Sequence, residues 1–145
     1  MVFTGIRSGE NYPDHLRQRT LFLLSQIAKA RNQFDPSGLR DLFGANAVYE
    51  SQDSFDKIVG RDAIFEYLSK RYAFIKEQAD LGKDTGKAIL GEVDSVPYAS
   101  TPCIIFEQSG RRLALWIIVM DGEGLIKRFD IITFAPHPAS ARPIS

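Results

Sequence analysis

The sequence predicts an α+β fold in which a curved antiparallel sheet wraps around N-terminal helices, forming a cone-shaped α+β barrel. Three observations point to it. Segments with helical periodicity come first, and strand-like segments separated by glycine-bearing turns follow. Residues 112–136 read as a hairpin, because two runs rich in β-branched and aromatic residues flank Asp121-Gly122-Glu123-Gly124, where glycine supplies the positive φ of a tight return. The first of those runs, residues 113–120, is apolar on both alternating faces, so both sides of the sheet need a cover. Helices supply one cover, and a second copy of the chain is the simplest candidate for the other.

Taken in order, residues 1–12 lack periodicity and read as a flexible lead-in. Pro13 suits the first position of a helix, and Asp14 faces the positive end of its dipole. Leu16, Leu23, Leu24, Ile27 and Ala28 then recur at helical spacing, with Arg17, Arg19, Gln26, Lys29 and Arg31 between them, so an amphipathic helix extends to about Asn32. Asp35-Pro36 repeats the cap-then-proline signature, which opens a short second helix carrying Leu39, Leu42 and Phe43 inward. Residues 47–51 read as a first strand and residues 52–57 as the loop leaving it. Gly60-Arg61-Asp62-Ala63-Ile64 opens a third helix with Ile64, Tyr67, Leu68, Tyr72 and Ile75 inward, while Glu66, Lys70, Lys76 and Glu77 face water. After a loop at 81–87, residues 88–96 and 101–108 are the strands that precede the hairpin. The domain thus spans 13–136, and the proline-rich tail 137–145 is expected to be disordered.

Composition narrows the function classes. Lys plus Arg equals Asp plus Glu at 18 each, which leaves no basic surplus for nucleic acid or an anionic membrane. Cys103 is the only cysteine, and the two histidines, His15 and His137, lie far apart in sequence, so neither a disulfide framework nor a metal site is expected. No feature calls for a cofactor. The N-terminus lacks an apolar leader and residues 113–120 are too few to span a bilayer, so a cytoplasmic protein is expected.

Leu42-Phe43-Gly44-Ala45-Asn46-Ala47-Val48-Tyr49, Gly60-Arg61-Asp62-Ala63-Ile64 and the hairpin ending in Phe134 resemble the nuclear transport factor 2-like superfamily, in its SnoaL-like and steroid isomerase-like branches. That superfamily also includes polyketide cyclases, scytalone dehydratase and limonene epoxide hydrolase, so the resemblance implies a fold with a cavity rather than one reaction. In steroid isomerases the general base is an Asp on the first strand, and the corresponding position here is Ser51. The oxyanion tyrosine falls near Ile27, and the second acid falls among residues 113–118, which include no acid. A serine without a partner to accept its proton is no base at neutral pH, so the isomerase mechanism is not expected. Asp130 alternates with Phe129 and Ile131 and points away from the cone if they point into it, which leaves no inward carboxylate pair for the dehydratase or hydrolase chemistries.

The residues this reading places on the cavity wall are Tyr49, Ser51, Leu68, Arg71, Tyr72, Trp116, Phe129, Ile131 and Thr133. Tyr49 and Ser51 share one strand face, as either a hydrogen-bonding wall or structural polar groups. Arg71 lies between Leu68 and Ile75, where it either meets an anionic ligand with a bidentate fork or lays its stem on the core and reaches water. Trp116 either lines the cavity or anchors a dimer. Cys103 reads as a buried, inert thiol. Arg128 and Asp130, with Ile132 and Phe134, share the outer face of the last strand and suit self-association. Two readings follow: a domain that binds a small apolar or amphipathic molecule, including a lyase, isomerase or cyclase type of enzyme, and a non-catalytic homodimeric interaction module using the outer sheet face.

Overall fold

The computed structural model describes residues 13–53, 56–94, 100–134 and 136–144. The expected lead-in 1–12 and most of the loop at 97–100 lie outside these residues. Two long helices, α1 (Asp14–Gln33) and α2 (Arg61–Asp80), lie against one face of a seven-stranded sheet. Its strands are β1 (Phe43–Ser51), β2 (Lys57–Val59), β3 (Lys87–Val93), β4 (Pro102–Gln108), β5 (Arg111–Met120), β6 (Ile126–Ile132) and β7 (Ala141–Pro143), in the spatial order β2-β1-β6-β5-β4-β3-β7. The meander β3-β4-β5-β6 is antiparallel as expected, whereas β1 joins β6 in parallel, Tyr49 opposite Phe129. The sheet is therefore mixed and does not close.

Helix α1 buries Leu23, Leu24 and Ile27 on the face that meets the sheet, and each such side chain stabilises the fold by roughly 1.5–3 kcal/mol. It ends at Phe34, whose φ of 56° turns the chain so that the amide of Asp35 donates to the carbonyl of Ala30. The expected second helix shrinks to a 3-10 turn at Arg40–Leu42, and the first strand starts at Phe43, four residues earlier than read. Leu39 and Phe43 are nevertheless buried. Residues 57–59 form the edge strand β2 beside β1, three residues too short to stand out by periodicity. Gly60, at φ 102°, turns the chain from β2 into α2 in a conformation only glycine adopts without strain.

The sheet has two apolar faces. Ala114, Trp116 and Ile118 of β5 point to the helices, and Leu115 and Ile117 point the other way, into a second cluster with Val93, Cys103, Ile105 and Ile132. All six members of that outer set are inaccessible within one chain. Part of the cover is the tail that was expected to be disordered. Pro138 and Ala141 are buried, and β7 pairs with β3. The Arg142 guanidinium bonds to Glu92, and Arg17 of α1 reaches the same carboxylate at 2.7 Å. Outer-face residues expected to need a second copy therefore have cover inside the chain, while Phe134 is exposed.

The outer-face ion pair anticipated at Arg128 exists. Its Nε and Nη2 reach Asp130 at 3.2 and 2.8 Å, and Nη2 reaches Glu50 at 2.7 Å. Burial pushes the Asp130 carboxyl up, and the bonds from Arg128 oppose that rise. Cys103 is buried, and its thiol is pushed up to about 12 by desolvation, so it is protonated and inert. No helix among the described residues is long and apolar enough to cross a membrane.

Candidate functional site

Between the helices and the inner sheet face lies a cavity of about 440 Å³. Strand β1 contributes Tyr49 and Ser51, two residues apart on one face of the pleat. Helix α2 contributes Leu68, Arg71 and Tyr72, together with Tyr67 and Ile75, which share its inward stripe. Strand β5 contributes Trp116. Phe129 and Ile131 come from β6, with Thr133 just beyond it. All nine residues named from the sequence thus fall on the lining of one cavity.

Five aromatic rings form a continuous line across that wall. Tyr67 meets Tyr49 at 5.5 Å between centroids, and Tyr49 stacks on Phe129 at 5.0 Å with 23° between planes. Phe129 meets Trp116 at 5.8 Å, and Trp116 stacks on Phe106 at 5.3 Å and 13°. Such pairs contribute about 0.5–1.5 kcal/mol each beyond the area they bury, and they present a broad apolar surface to the cavity.

Apart from Asp53, the polar side chains lining this cavity can all donate a hydrogen bond. The hydroxyls of Tyr49, Tyr67 and Tyr72 have no hydrogen-bond partner among the described residues. Burial, reinforced by the neighbouring Tyr67 and Tyr72 hydroxyls, pushes the Tyr49 phenol well above the usual tyrosine range. Burial pushes Tyr72 up to about 12, with Arg31 acting against it. Both stay protonated near neutrality and can donate but not serve as bases. Ser51 Oγ accepts from the amide of Asp53 at 3.3 Å, a local turn contact. Asp53, exposed at the rim, accepts from Thr133 Oγ1 at 2.9 Å, and among the described lining residues it is the only carboxylate. No histidine is among the described residues that line the cavity. Asp130 faces away from it, as its alternation with Phe129 and Ile131 requires.

The residue that the sequence reading placed among the solvent-facing positions and the structure moves inward is Arg31. It follows Ile27 by four residues and therefore falls on the buried stripe of α1, where it is 5% exposed and lines the cavity. Its Nη2 donates to the carbonyl of Thr85, and its guanidinium lies 5.1 Å from the Phe106 ring centre and 5.9 Å from that of Phe34. The i+4 spacing from Ile27 was the available signal. Arg71, expected on this wall, is exposed and makes no hydrogen bond or ion pair among the described residues.

No family model matches the sequence, and no curated protein matches it either. Solved structures do share its fold. A SnoaL-like protein of unknown function from Burkholderia thailandensis superposes with a TM-score of 0.59 at 11% identity, covering 86% of this chain and 98% of the other. SalBIII, described as an epoxide hydrolase/cyclase-like enzyme in pyran ring formation, gives 0.53 at 15% identity, covering 88% and 98%. A Mycobacterium tuberculosis protein solved in complex with estradiol-17beta-hemisuccinate gives 0.53 at 13% identity, covering 78% and 92%. The chain thus shares its fold with solved proteins described as NTF2-like and SnoaL-like, the fold that the sequence resemblance implied.

Proposed function

We propose that the cone of this nuclear transport factor 2-like fold binds a small, flat, largely apolar molecule between the aromatic wall and α2. The observation that carries the reading is the open cavity of about 440 Å³ behind five aligned aromatic rings, where a purely structural core would be packed solid. The steroid-bound and cyclase-like neighbours lend support, since in the former the same fold is associated with a ligand of this character. Stacking on Tyr49, Phe129 and Trp116 supplies affinity, and the phenol hydroxyls of Tyr49, Tyr67 and Tyr72 supply orientation.

Any reaction in this cavity would proceed by hydrogen-bond donation and positioning. Proton abstraction has no base among the described interior residues, because Ser51 occupies the position where steroid isomerases carry their carboxylate and Asp53 stays at the rim. Cyclisations that need a shaped cavity and hydrogen-bond donation fit the donor set, whereas eliminations and carbon-acid isomerisation, which must remove a proton from the substrate, do not.

The test is titration of the protein with naphthamide, a flat neutral aromatic, followed by Trp116 fluorescence and by calorimetry. Trp116 is the only tryptophan in the chain, so its emission reports on the cavity wall alone. Saturable quenching at one site is expected. Emission and heats that never saturate would sink the reading.

A further inference from the structure

Arg31 and Arg71 line the cone, and both also line a neighbouring surface cavity of about 260 Å³. The two cavities share Arg31, Arg71, Ile75 and Phe106, which makes this group the junction between the cone and the surface. Neither guanidinium has a carboxylate partner among the described residues. Arg31 Nη2 is held by the carbonyl of Thr85, and Nη1, although buried, has no hydrogen-bond partner among the described residues. Arg71 bonds to none of them.

Burying a guanidinium without an anion is costly, and a chain that needed only packing at this position would carry a leucine or methionine. The nearby acid does not relieve the cost. Asp84 lines the surface cavity, but its oxygens accept from the amide and hydroxyl of Ser109 and from the amide of Gly86. Lys83, also on that cavity, adds a third positive charge and donates to Gln78. Burial, with Arg71 as an unfavourable neighbour, holds Arg31 below the usual arginine range, as expected of a cation lacking a counter-ion. Phe34 and Phe106 flank Arg31 and shield it from water without neutralising it.

We infer that the ligand of the cone carries an acidic group, a carboxylate or an equivalent anion on an aromatic or alicyclic body, and that Arg31 and Arg71 receive that group where the cone meets the surface cavity. The inference rests on the pocket reading above and adds the ligand's charge. The apolar body then lies along the rings of Trp116, Phe129 and Tyr49, with the anion toward Phe106. A planar guanidinium suits this role because two of its N–H groups can meet both oxygens of a carboxylate.

The experiment compares naphthoate with naphthamide, which match in shape and differ in charge, by calorimetry and Trp116 fluorescence. Naphthoate is expected to bind about tenfold more tightly, the scale of one charge-assisted hydrogen bond, and to lose that preference as salt is raised. Arg71→Gln is expected to reduce the preference at least threefold on the same scale, and Arg71→Lys to retain part of it. Equal affinities in the unaltered protein would overturn the inference and leave the pocket reading standing. A preference unchanged by both Arg71→Gln and Arg31→Gln would overturn it as well. Failure of both compounds to bind would remove the pocket reading together with the inference.

Discussion

Trp116 stacks on Phe106 with ring centres 5.3 Å apart and planes 13° from parallel, and the guanidinium of Arg31 lies 5.1 Å from the centre of the same Phe106 ring. One phenyl ring thus joins the apolar wall of the cavity to its basic end. Phe106→Leu removes the stack and uncovers Arg31. Equilibrium urea unfolding is expected to show a loss of about 1 kcal/mol or more, and Trp116 emission is expected to move to the red as water reaches the indole. Unchanged emission would mean that the stack does not shield the ring.

Ala114 lies on the inner face of β5 beside Trp116, and its methyl group lines the cavity. Ala114→Phe fills open space rather than packed core, so thermal unfolding is expected to stay within a few degrees of the unaltered protein. Naphthamide affinity is expected to fall by more than about tenfold. Unaltered binding in this variant would place the ligand elsewhere.

Gly91 of β3 sits beneath the tail strand β7. A Cβ there would stand 2.6 Å from the carbonyl oxygen of Arg142 and 2.6 Å from Ile105 Cδ1, closer than atoms pack. Gly91→Ala is therefore expected to lift β7, lower the melting temperature and speed amide exchange at 141–143. A chain ending at Pro136 is expected to go further, because Leu115 and Ile117 lose the cover that Pro138 and Ala141 provide, and to bind a hydrophobic dye that the full chain does not. Equal stability of the truncated chain would show that the tail covers nothing of consequence.

Hydrogen bonds from Arg142 and Arg17 hold the Glu92 carboxyl below the usual glutamate range. The unfolded chain therefore binds this proton more readily, and the stabilisation is present above the unfolded value of about 4.3 and lost as pH falls through the lower folded value. Asp130, raised by burial, titrates in the opposite sense, so the informative quantity is the difference between the unaltered protein and Glu92→Gln. That difference in unfolding free energy is expected to shrink as pH falls from about 6 to about 3. A constant difference would show that Glu92 contributes packing alone.

Much of this molecule was legible in its residues. The helices were, because Leu23, Leu24 and Ile27, and again Ile64, Leu68, Tyr72 and Ile75, repeat at a period no strand accommodates. The period of two grouped Tyr49 with Ser51, and Phe129 with Ile131 and Thr133, on shared strand faces, and it was the family resemblance that named those faces as interior. Arg31 was not legible, because its charge argued for solvent while its spacing from Ile27 argued for the interior, and spacing prevailed. Tail strand β7 was hidden by a proline-rich composition; its order comes from Gly91, Glu92 and the outer face of β5, all distant in sequence. The parallel pairing of β1 with β6 has the same character, since nothing local in either strand names its partner.

A crystal structure of the protein with naphthamide would test the central claim most directly. The account predicts density for one molecule inside the cone, its rings against Trp116, Phe129 and Tyr49 and its amide within hydrogen-bond distance of a tyrosine hydroxyl. A molecule bound only on the outer sheet face, or a cone refilled by rearranged Tyr49, Trp116 and Phe129 side chains, would contradict it.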